Sequence, residues 1–537
     1  MKNPTRVVLS ALALLTAFTS FSQDYIELAK QAYNDKKYYD VVEYANKALN
    51  TTSSGSAYWY RAMGRYQLKN YIDASSDFTS AIAYYSSDNT SLGKLYYWRG
   101  LCKYNQSNYT AALPDFESCA NYGYEYKTDL YWHLAWCNFK VQQYNKAIDQ
   151  YSTAINYASD NATFSSLYKE RADCKRSQSN CKEAVEDYTR AIQYNSANSG
   201  AYWNRGVCRA TNLDHEMAQA DYTSAINLLE KDPSTATSDI AILFSNRGYQ
   251  KYMLSKNDEA KADLQKSLQL NPNFAQANQY MGDVLYGMNN FNEANHYYLQ
   301  AASLYTTDAD RAICYSGLYW SCRKAMNYRQ AVVYVEEALK FYPHSKSYLV
   351  NRAYALCSKK DLVNALADYD KVIAMYSSIT LNAYDSSYLA TYYQERAGIK
   401  MKMKNNNDAL ADLIKAVDLN PSAYMIYHLG RFYKMQLKQS ENANINLQKA
   451  IDISVKNDTT SDYIYSRVIR GDKIEAINVG LRKIKKDADK KSQLIWDIYN
   501  LACVYSLSGD SVKALQYLDK AFSAGFEDFD HIYNDED

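Results

Sequence analysis

Proline is nearly missing from this 537-residue chain, with 6 in all, and glycine is sparse at 17. Long Gly/Pro linkers and most β-rich folds are thereby disfavoured. An excess of one charge is also lacking. The 60 Lys and Arg are matched by 59 Asp and Glu, so no global field draws nucleic acid or an anionic membrane. Beyond residue 22 no stretch is apolar and long enough to span a bilayer. The signatures of common chemistry are absent as well. His133, His215, His296, His344, His428 and His531 are scattered, and none belongs to an HExxH or a Cys/His cluster at metal-ligand spacing. There is no Walker-type glycine loop, no GxSxG elbow and no GxGxxG after a strand. Nothing singles out two carboxylates converging in a cleft. The expectation is a non-catalytic chain with no cofactor and no metal.

Tyrosine is what the chain has in excess, at 56 residues. That density suits packed helical faces with one wet edge. Residues 1–22 read as a cleaved secretory signal. Lys2 and Arg6 precede an apolar run from Val7 to Phe18, and Ser20 and Ser22 supply small residues before a cut at Ser22/Gln23. The run is too short to span a bilayer stably, so a periplasmic or extracellular mature chain is expected. Ten cysteines in such a chain raise the question of disulfides. Cys102, Cys137, Cys174 and Cys208 each fall two residues after a recurring small residue. Equivalent positions of successive repeats are separated by a helix, and axes about 8–10 Å apart put such thiols beyond a bridge. They read as small core residues. Cys119 with Cys137 is the first pair to test for a bridge.

The unit that organises the chain is plainest at Gly200–Asn227. Gly206 lies late in a first helix, Ala218 follows twelve residues on in a second, and Ala225 seven after that. Small side chains at these points let two antiparallel helices, and then the next pair, approach closely. Tyr202, Trp203 and Tyr222 fill the space around them. The same skeleton recurs at Ala62, Ala74, Ala81; Gly100, Ala112, Cys119; Ala135, Ala147, Ala154; Ala172, Ala184, Ala191; and Gly248, Ala260, Ser267. It continues at Gly282, Ala294, Ala301; Ala353, Ala365, Val372; Ala397, Ala409, Ala416; and Ala502, Ala514, Ala521. Gly317 with Ala331 and Ala338, and Gly430 with Ala443 and Ala450, fit only with an insertion in the turn. A looser capping hairpin surrounds Ala29 and Ala48, and residues 455–490 read as a degenerate hairpin around Gly471 and Ala476.

This pattern resembles the tetratricopeptide repeat, a helix-turn-helix unit of about 34 residues. The likeness covers residues 24–525, with Pro272, Pro343 and Pro421 where that family commonly places a proline after the second helix. It implies an all-α superhelical solenoid of about thirteen or fourteen hairpins, and a protein-interaction scaffold without chemistry of its own. The expected organisation is a signal at 1–22, a solenoid at 23–454 and a degenerate repeat at 455–490. A final repeat at 491–525 and an acidic-aromatic tail at 526–537 covering it complete the chain. The long connections 228–240 and 376–388 read as bulged loops or extended helices and, with 455–490, as hinges. Arg482–Lys491 reads as a solvated helix end. The tyrosine-rich, proline-poor composition and the Ser-Gln cut site resemble those of Bacteroidota envelope proteins.

Two sets of residues stand out. An Arg often precedes the small residue of the first helix, with an Asp sixteen residues later: Arg61/Asp77, Arg99/Asp115, Arg171/Asp187, Arg205/Asp221, Arg247/Asp263, Arg352/Asp368 and Arg396/Asp412. Units without the Arg lack the Asp as well, as at Leu134 with Gln150, Met281 with Tyr297 and Leu501 with Tyr517. A half-dry charge pair bridging the two helices of one hairpin explains why either comes only with the other. The second set is aromatic. Trp59 with Tyr66, Tyr97 with Tyr104 and Trp132 with Phe139 are each seven residues apart and share one side of a helix, and Trp203 continues the row. The family resemblance places first helices along an inner groove, so these rings are the candidate surface for an extended protein or peptide partner, in an envelope assembly or secretion complex. A glycan stacked on Trp59, Trp132 and Trp203 is the alternative, and rings that merely complete the core are the plainer reading.

Overall fold

The computed structural model describes residues 21–85, 88–232, 236–376, 380–457 and 460–526. Residues 1–20, which hold nearly all of the expected signal, and the tail from 527 onward lie outside that set. Every regular element among the described residues is a helix, 28 in all, paired two by two. The chain divides into two compact units, Met1–Leu270 and Asn271–Asp537.

The first unit holds α1 (21–34), α2 (Tyr38–Thr51), α3 (Gly55–Gln67), α4 (Tyr71–Tyr84), α5 (Asn89–Asn105), α6 (Tyr109–Asn121), α7 (Lys127–Lys140), α8 (Tyr144–Tyr157), α9 (Asn161–Ser177), α10 (Cys181–Tyr194), α11 (Ser199–Thr211), α12 (His215–Leu229), α13 (Thr237–Met253) and α14 (Asn257–Leu270). The second holds α15 (Ala275–Gly287), α16 (Phe291–Leu304), α17 (Asp308–Lys324), α18 (Tyr328–Phe341), α19 (Lys346–Ser358), α20 (Leu362–Ala374), α21 (Ala383–Lys402), α22 (Asn406–Leu419), α23 (Ala423–Met435), α24 (Ser440–Asn457), α25 (Thr460–Arg470), α26 (Lys473–Lys486), α27 (Lys491–Leu507) and α28 (Ser511–Ala524). Each odd helix pairs with the even helix after it. The fold is all-α, built of helix-turn-helix hairpins of the tetratricopeptide type.

Most hairpins close through the same three-residue turn. Between α3 and α4, Lys69 at φ 60° donates its N–H to the Tyr66 carbonyl at 2.9 Å, and the Asn70 N–H returns to Arg65 at 2.8 Å. The Asn70 side chain then accepts from the Asp73 N–H. The left-handed residue thus satisfies the last carbonyls of one helix and the Asn covers the first amides of the next. Asp214, Asn327 and Asp361 cap α12, α18 and α20 in the same way. The left-handed turn position is a non-glycine residue in most hairpins, among them Ser107, Leu213 and Met326.

Small residues sit where helices touch. Ala62, Ala74 and Ala81 are wholly buried, as are Ala218 and Ala225. A Cβ on Gly206 would stand 2.9 Å from Tyr222 Cε1. One part of the sequence reading needs correction. The turn after α17 has the ordinary three residues, Ala325 to Asn327, so nothing is inserted there. The core position assigned to Gly317 is held by Tyr319, wholly buried, and Gly317 instead faces Tyr298 of the preceding hairpin. Gly282 faces that same ring, and a Cβ on either glycine would fall 2.7 Å from it. The insertion beside Gly430 is present, as the four residues Gln436 to Gln439 between α23 and α24.

Among the irregular stretches, 383–388 is helical and belongs to α21, whereas 233–235 and 377–379 lie outside the described residues. Residues 460–486 form the hairpin α25–α26, turning at Gly471 with φ 121°. Phe526, the first residue of the tail, is buried with its ring stacked 4.4 Å from Tyr499. At the other end, the Ser22/Gln23 bond falls within α1, where the Ser22 hydroxyl donates to the Ala48 carbonyl at 3.3 Å.

Candidate functional site

The seven arginine–aspartate pairs are ion pairs across the two helices of single hairpins. Arg61–Asp77, Arg99–Asp115, Arg171–Asp187, Arg205–Asp221 and Arg352–Asp368 close at 2.7 Å, and Arg247–Asp263 and Arg396–Asp412 at 2.6 Å. All seven aspartates are buried. Nε and Nη2 of each arginine grip the carboxylate together, as in Arg205, whose Nε lies 3.0 Å from one oxygen and Nη2 2.7 Å from the other. Planar two-point donation of this kind is what guanidinium offers and ammonium does not. In six hairpins a second cation one turn on, Arg65, Lys103, Lys175, Arg209, Lys251 or Lys400, takes the same aspartate at 2.7 to 3.0 Å. In the seventh, Leu356 stands at that place.

The remaining Nη1 reaches out of the hairpin. It donates to Asn46 from Arg61, to Thr79 from Arg99, to Ser152 from Arg171, to Thr189 from Arg205, to Thr223 from Arg247 and to Asp370 from Arg396. Each acceptor lies on the second helix of the preceding hairpin, so one guanidinium ties three helices. An aromatic ring three residues earlier, such as Tyr202 at 5.5 Å from Arg205, covers its face. At Asp187 burial alone raises the pKa, but the hydrogen bonds from Arg171 and Lys175 outweigh it and leave the group below the ordinary carboxylate value.

These staples hold first helices in a row, and the aromatic candidates lie along it. Trp59 lies edge-on to Phe78 of its own hairpin at 5.7 Å, with part of the ring still open. Tyr66 meets Trp98 of α5 at 5.0 Å and accepts from Asn105 at 3.1 Å. Tyr97 is buried, 7% exposed, stacked 4.5 Å from Tyr124. Tyr104 meets His133 and Trp132 of α7 at 5.2 and 6.3 Å. Burial pushes its hydroxyl up to about 12 and pulls the His133 imidazole down. Trp132 stacks on Trp136 at 5.8 Å, Phe139 packs against Trp136 and Tyr144, and Trp203 packs into the core around Tyr222. The rings of α3, α5 and α7 therefore touch from helix to helix as one half-buried wall. Tyr97 presents almost nothing to solvent, while Tyr66, Tyr104, Trp132 and Phe139 keep an edge free.

Several residues of this wall were not singled out from the sequence. Trp98 and Trp136 are adjacent to residues that were, and a helical wheel covering the neighbouring turn picks them up. Glu170 of α9 is the more informative omission. Its carboxylate accepts from Trp132 Nε1 at 2.6 Å and from the buried Tyr151 hydroxyl. Burial raises its pKa, and those two bonds only partly offset the rise. Asp283 in the second unit is similar. It accepts from Tyr298 at 2.7 Å, and burial lifts it to about 6.

All ten cysteines are unbridged, Cys119 and Cys137 included. Cys102, Cys137 and Cys174 are wholly buried, and burial pushes each thiol up to about 12. The structure instead sets Cys181 of α10 against Cys208 of α11, with their thiols in hydrogen-bond contact. Among the described residues no three His, Cys, Asp or Glu side chains converge to hold a metal ion, and no helix is long and apolar enough to cross a membrane.

No protein-family model matches the chain, and no curated protein matches it. Solved structures do resemble parts of it. The C-terminal part of a TPR repeat-containing protein from Cytophaga hutchinsonii is 14% identical with a TM-score of 0.42, the match covering 48% of this chain and 99% of that one. YrrB, described as a TPR protein with an unusual peptide-binding site, is 20% identical over 39% of this chain and 97% of its own, with a TM-score of 0.31. A Naa15/Naa10 structure bound to HypK-THB covers 96% of this chain and 77% of its own at 14% identity and a TM-score of 0.35. Scores this low leave the hairpin architecture to stand on the chain's own helices.

Proposed function

We propose that the protein is a non-catalytic interaction scaffold that binds a protein or peptide partner along the first-helix wall of its first unit. The observation that carries this reading is the contact of Tyr66 with Trp98 and of Tyr104 with Trp132, which makes one aromatic surface out of three consecutive hairpins. Aromatic rings give large contact area at low entropic cost, and half-buried rings are already ordered before a partner arrives. In the tetratricopeptide family the first helices line the inner face, where an extended segment has room to lie. Export through the signal at residues 1–22, with a place in an envelope assembly or secretion complex, belongs to this proposal.

The test is photo-crosslinking in the native host, with a benzophenone amino acid at position 104 or 136 of the full chain. Position 72, on the opposite helix of its hairpin and 71% exposed, is the control. Discrete protein adducts from 104 and 136, and none from 72, are expected. Equal labelling from 72, or no adduct at any position, would overturn the reading. Detection of the mature amino terminus at Gln23 in an envelope or medium fraction checks export, and an intact terminus at Met1 refutes it.

A further inference from the structure

The positive run expected to be a solvated helix end closes α26 and opens α27. Arg482, Lys483, Lys485 and Lys486 lie in the last turns of α26, and Lys490 and Lys491 stand where α27 begins. Some of this charge is matched. Lys483 and Lys490 hold buried Asp487 at 2.8 and 3.1 Å, and Arg482 holds Glu475 at 2.9 Å. Lys485, Lys486 and Lys491 are exposed and make no ion pair among the described residues. Three such ammonium groups at one end of a hairpin favour an anion laid across them. The chain itself returns to that end. Helices α27 and α28 form one hairpin, so the close of α28 comes back beside the start of α27. There Phe526 is 3% exposed, its ring stacked on Tyr499 and edge-on to Trp496 at 5.0 Å. Trp496 is five residues beyond Lys491, about 8 Å along the helix. The eleven residues that follow Phe526 carry six carboxylates, Glu527, Asp528, Asp530, Asp535, Glu536 and Asp537, with no Lys or Arg.

We propose that residues 527–537 lie across the basic run of α26 and α27, and that an acidic segment of a partner binds there by displacing them. The surface belongs to the second unit, and the inference does not depend on the first-helix wall. Opposite charge and a short tether carry it. Eleven residues span up to about 36–40 Å when extended, well beyond the rise from Trp496 to Lys491. The outer face of α28 is the competing place, since Val512 and Leu515 are 68% and 67% exposed there. It is the poorer one. Those side chains sit toward the far end of α28, about 17–21 Å from Phe526 along the axis. The two cations of α28 are also engaged, Lys513 with Asp510 at 3.3 Å and Lys520 over the Tyr517 ring at 4.3 Å. The tether presents the tail at an effective concentration on the order of 1 mM. A multipoint charge contact with a Kd of about 0.1 mM is then occupied roughly ten to one.

The experiment uses the full chain and a carbodiimide, which joins a carboxylate to an amine and takes up the water lost. Linked peptides should pair residues 527–537 with Lys485, Lys486 or Lys491 within one chain, as an equal mixture of light and isotope-labelled chains reveals. Their yield should fall several-fold between about 0.02 M and about 0.5 M salt. The second measurement is binding of a fluorescent peptide carrying residues 527–537. It should bind about tenfold more tightly to a chain whose Asp and Glu of 527–537 are changed to Asn and Gln than to the unaltered chain. Lys485→Gln, Lys486→Gln and Lys491→Gln together should abolish that binding, and all three side chains are exposed, so the change leaves the packing intact. Tail linkages mainly to Lys513 or Lys520, linkages between chains, no tail linkage at all, or equal peptide affinity for the two chains would overturn the inference.

Discussion

Replacing Arg205 tests how the hairpins are held. Asp221 is 2% exposed and accepts two bonds from Arg205 and one from Arg209, while each arginine side chain is 11% exposed. Arg205→Ala leaves a buried carboxylate with one cation instead of two, and it removes the reach to Thr189 and the contact with Tyr202. Breaking a buried pair costs about 3–5 kcal/mol. Arg209 retains part of the compensation, so about 3 kcal/mol is expected here. The converse change is Arg205→Met, Arg209→Met and Asp221→Leu together. It leaves no stranded charge, and Thr189 keeps its bond to the Val185 carbonyl. Exchanging a buried ionic group for apolar side chains of similar size is near neutral, a loss of about 1 kcal/mol or less. Exchanging Arg205 and Asp221 alone is a poorer test, because it strands Arg209. The assay is native-state hydrogen exchange of the full chain, read at the amides of α11 and α12, since a repeat array opens locally and a single melting temperature averages over units. Opening of that hairpin should become about a hundredfold more frequent in Arg205→Ala and change little in the three-residue variant. Equal losses in the two would refute the view that the charges are retained as a mutually dependent set.

Other outcomes follow from particular groups. Asp187 and Asp283 should move stability in opposite directions with pH. The folded-state pKa of Asp187 is depressed, so its contribution is full above the unfolded carboxylate value and is lost as pH falls through the folded one. Asp283 is raised to about 6, so its hairpin is penalised above that pH and relieved as pH falls toward 4. Asp283→Asn should therefore stabilise α15–α16 by about 2 kcal/mol at pH 8, allowing for partial exposure, with the gain gone near pH 4; a gain that persists at pH 4 contradicts this. Leu213 sits in the left-handed region at φ 63° and is 75% exposed. Leu213→Gly should relieve about 1 kcal/mol of backbone strain, visible as slower exchange at the α11–α12 turn, and faster exchange would count against it. Treatment with oxidised glutathione, a disulfide donor that is itself reduced to two thiols, should bridge Cys181 and Cys208 before any other pair. Non-reducing peptide mapping decides, and a first bridge between Cys119 and Cys137 would show the contact to be misassigned.

Much of the hairpin architecture was legible because it depends on residues close in sequence. A small residue, a turn and a second small residue twelve positions on fall within one local unit, and the paired Arg and Asp fall within that same unit. What was missed involves neighbours between units. The second cation on six of the seven aspartates, such as Arg209, is one helical turn from the first and was visible in principle. The Nη1 reach of Arg205 to Thr189 was not, because it depends on which helix of the preceding hairpin lies alongside. Gly317 shows the same limit. Its smallness was assigned to its own hairpin, whereas it makes room for Tyr298 of the one before.

The sequence by itself determined an all-α chain of stacked hairpins, their number to within one, and the seven charged staples, since period, small-residue spacing and charge pairing are local properties of each repeat. Only the tertiary structure decided which rings are spent inside the core and which keep an open edge. It set Trp59 edge-on to Phe78 with part of the ring still open, buried Tyr97, and brought Trp132 of one hairpin to Glu170 of the next. The physical reason is that rings seven residues apart share a side of their helix, but how much of that side stays open is set by the neighbouring hairpin, whose approach depends on side chains dozens of residues away.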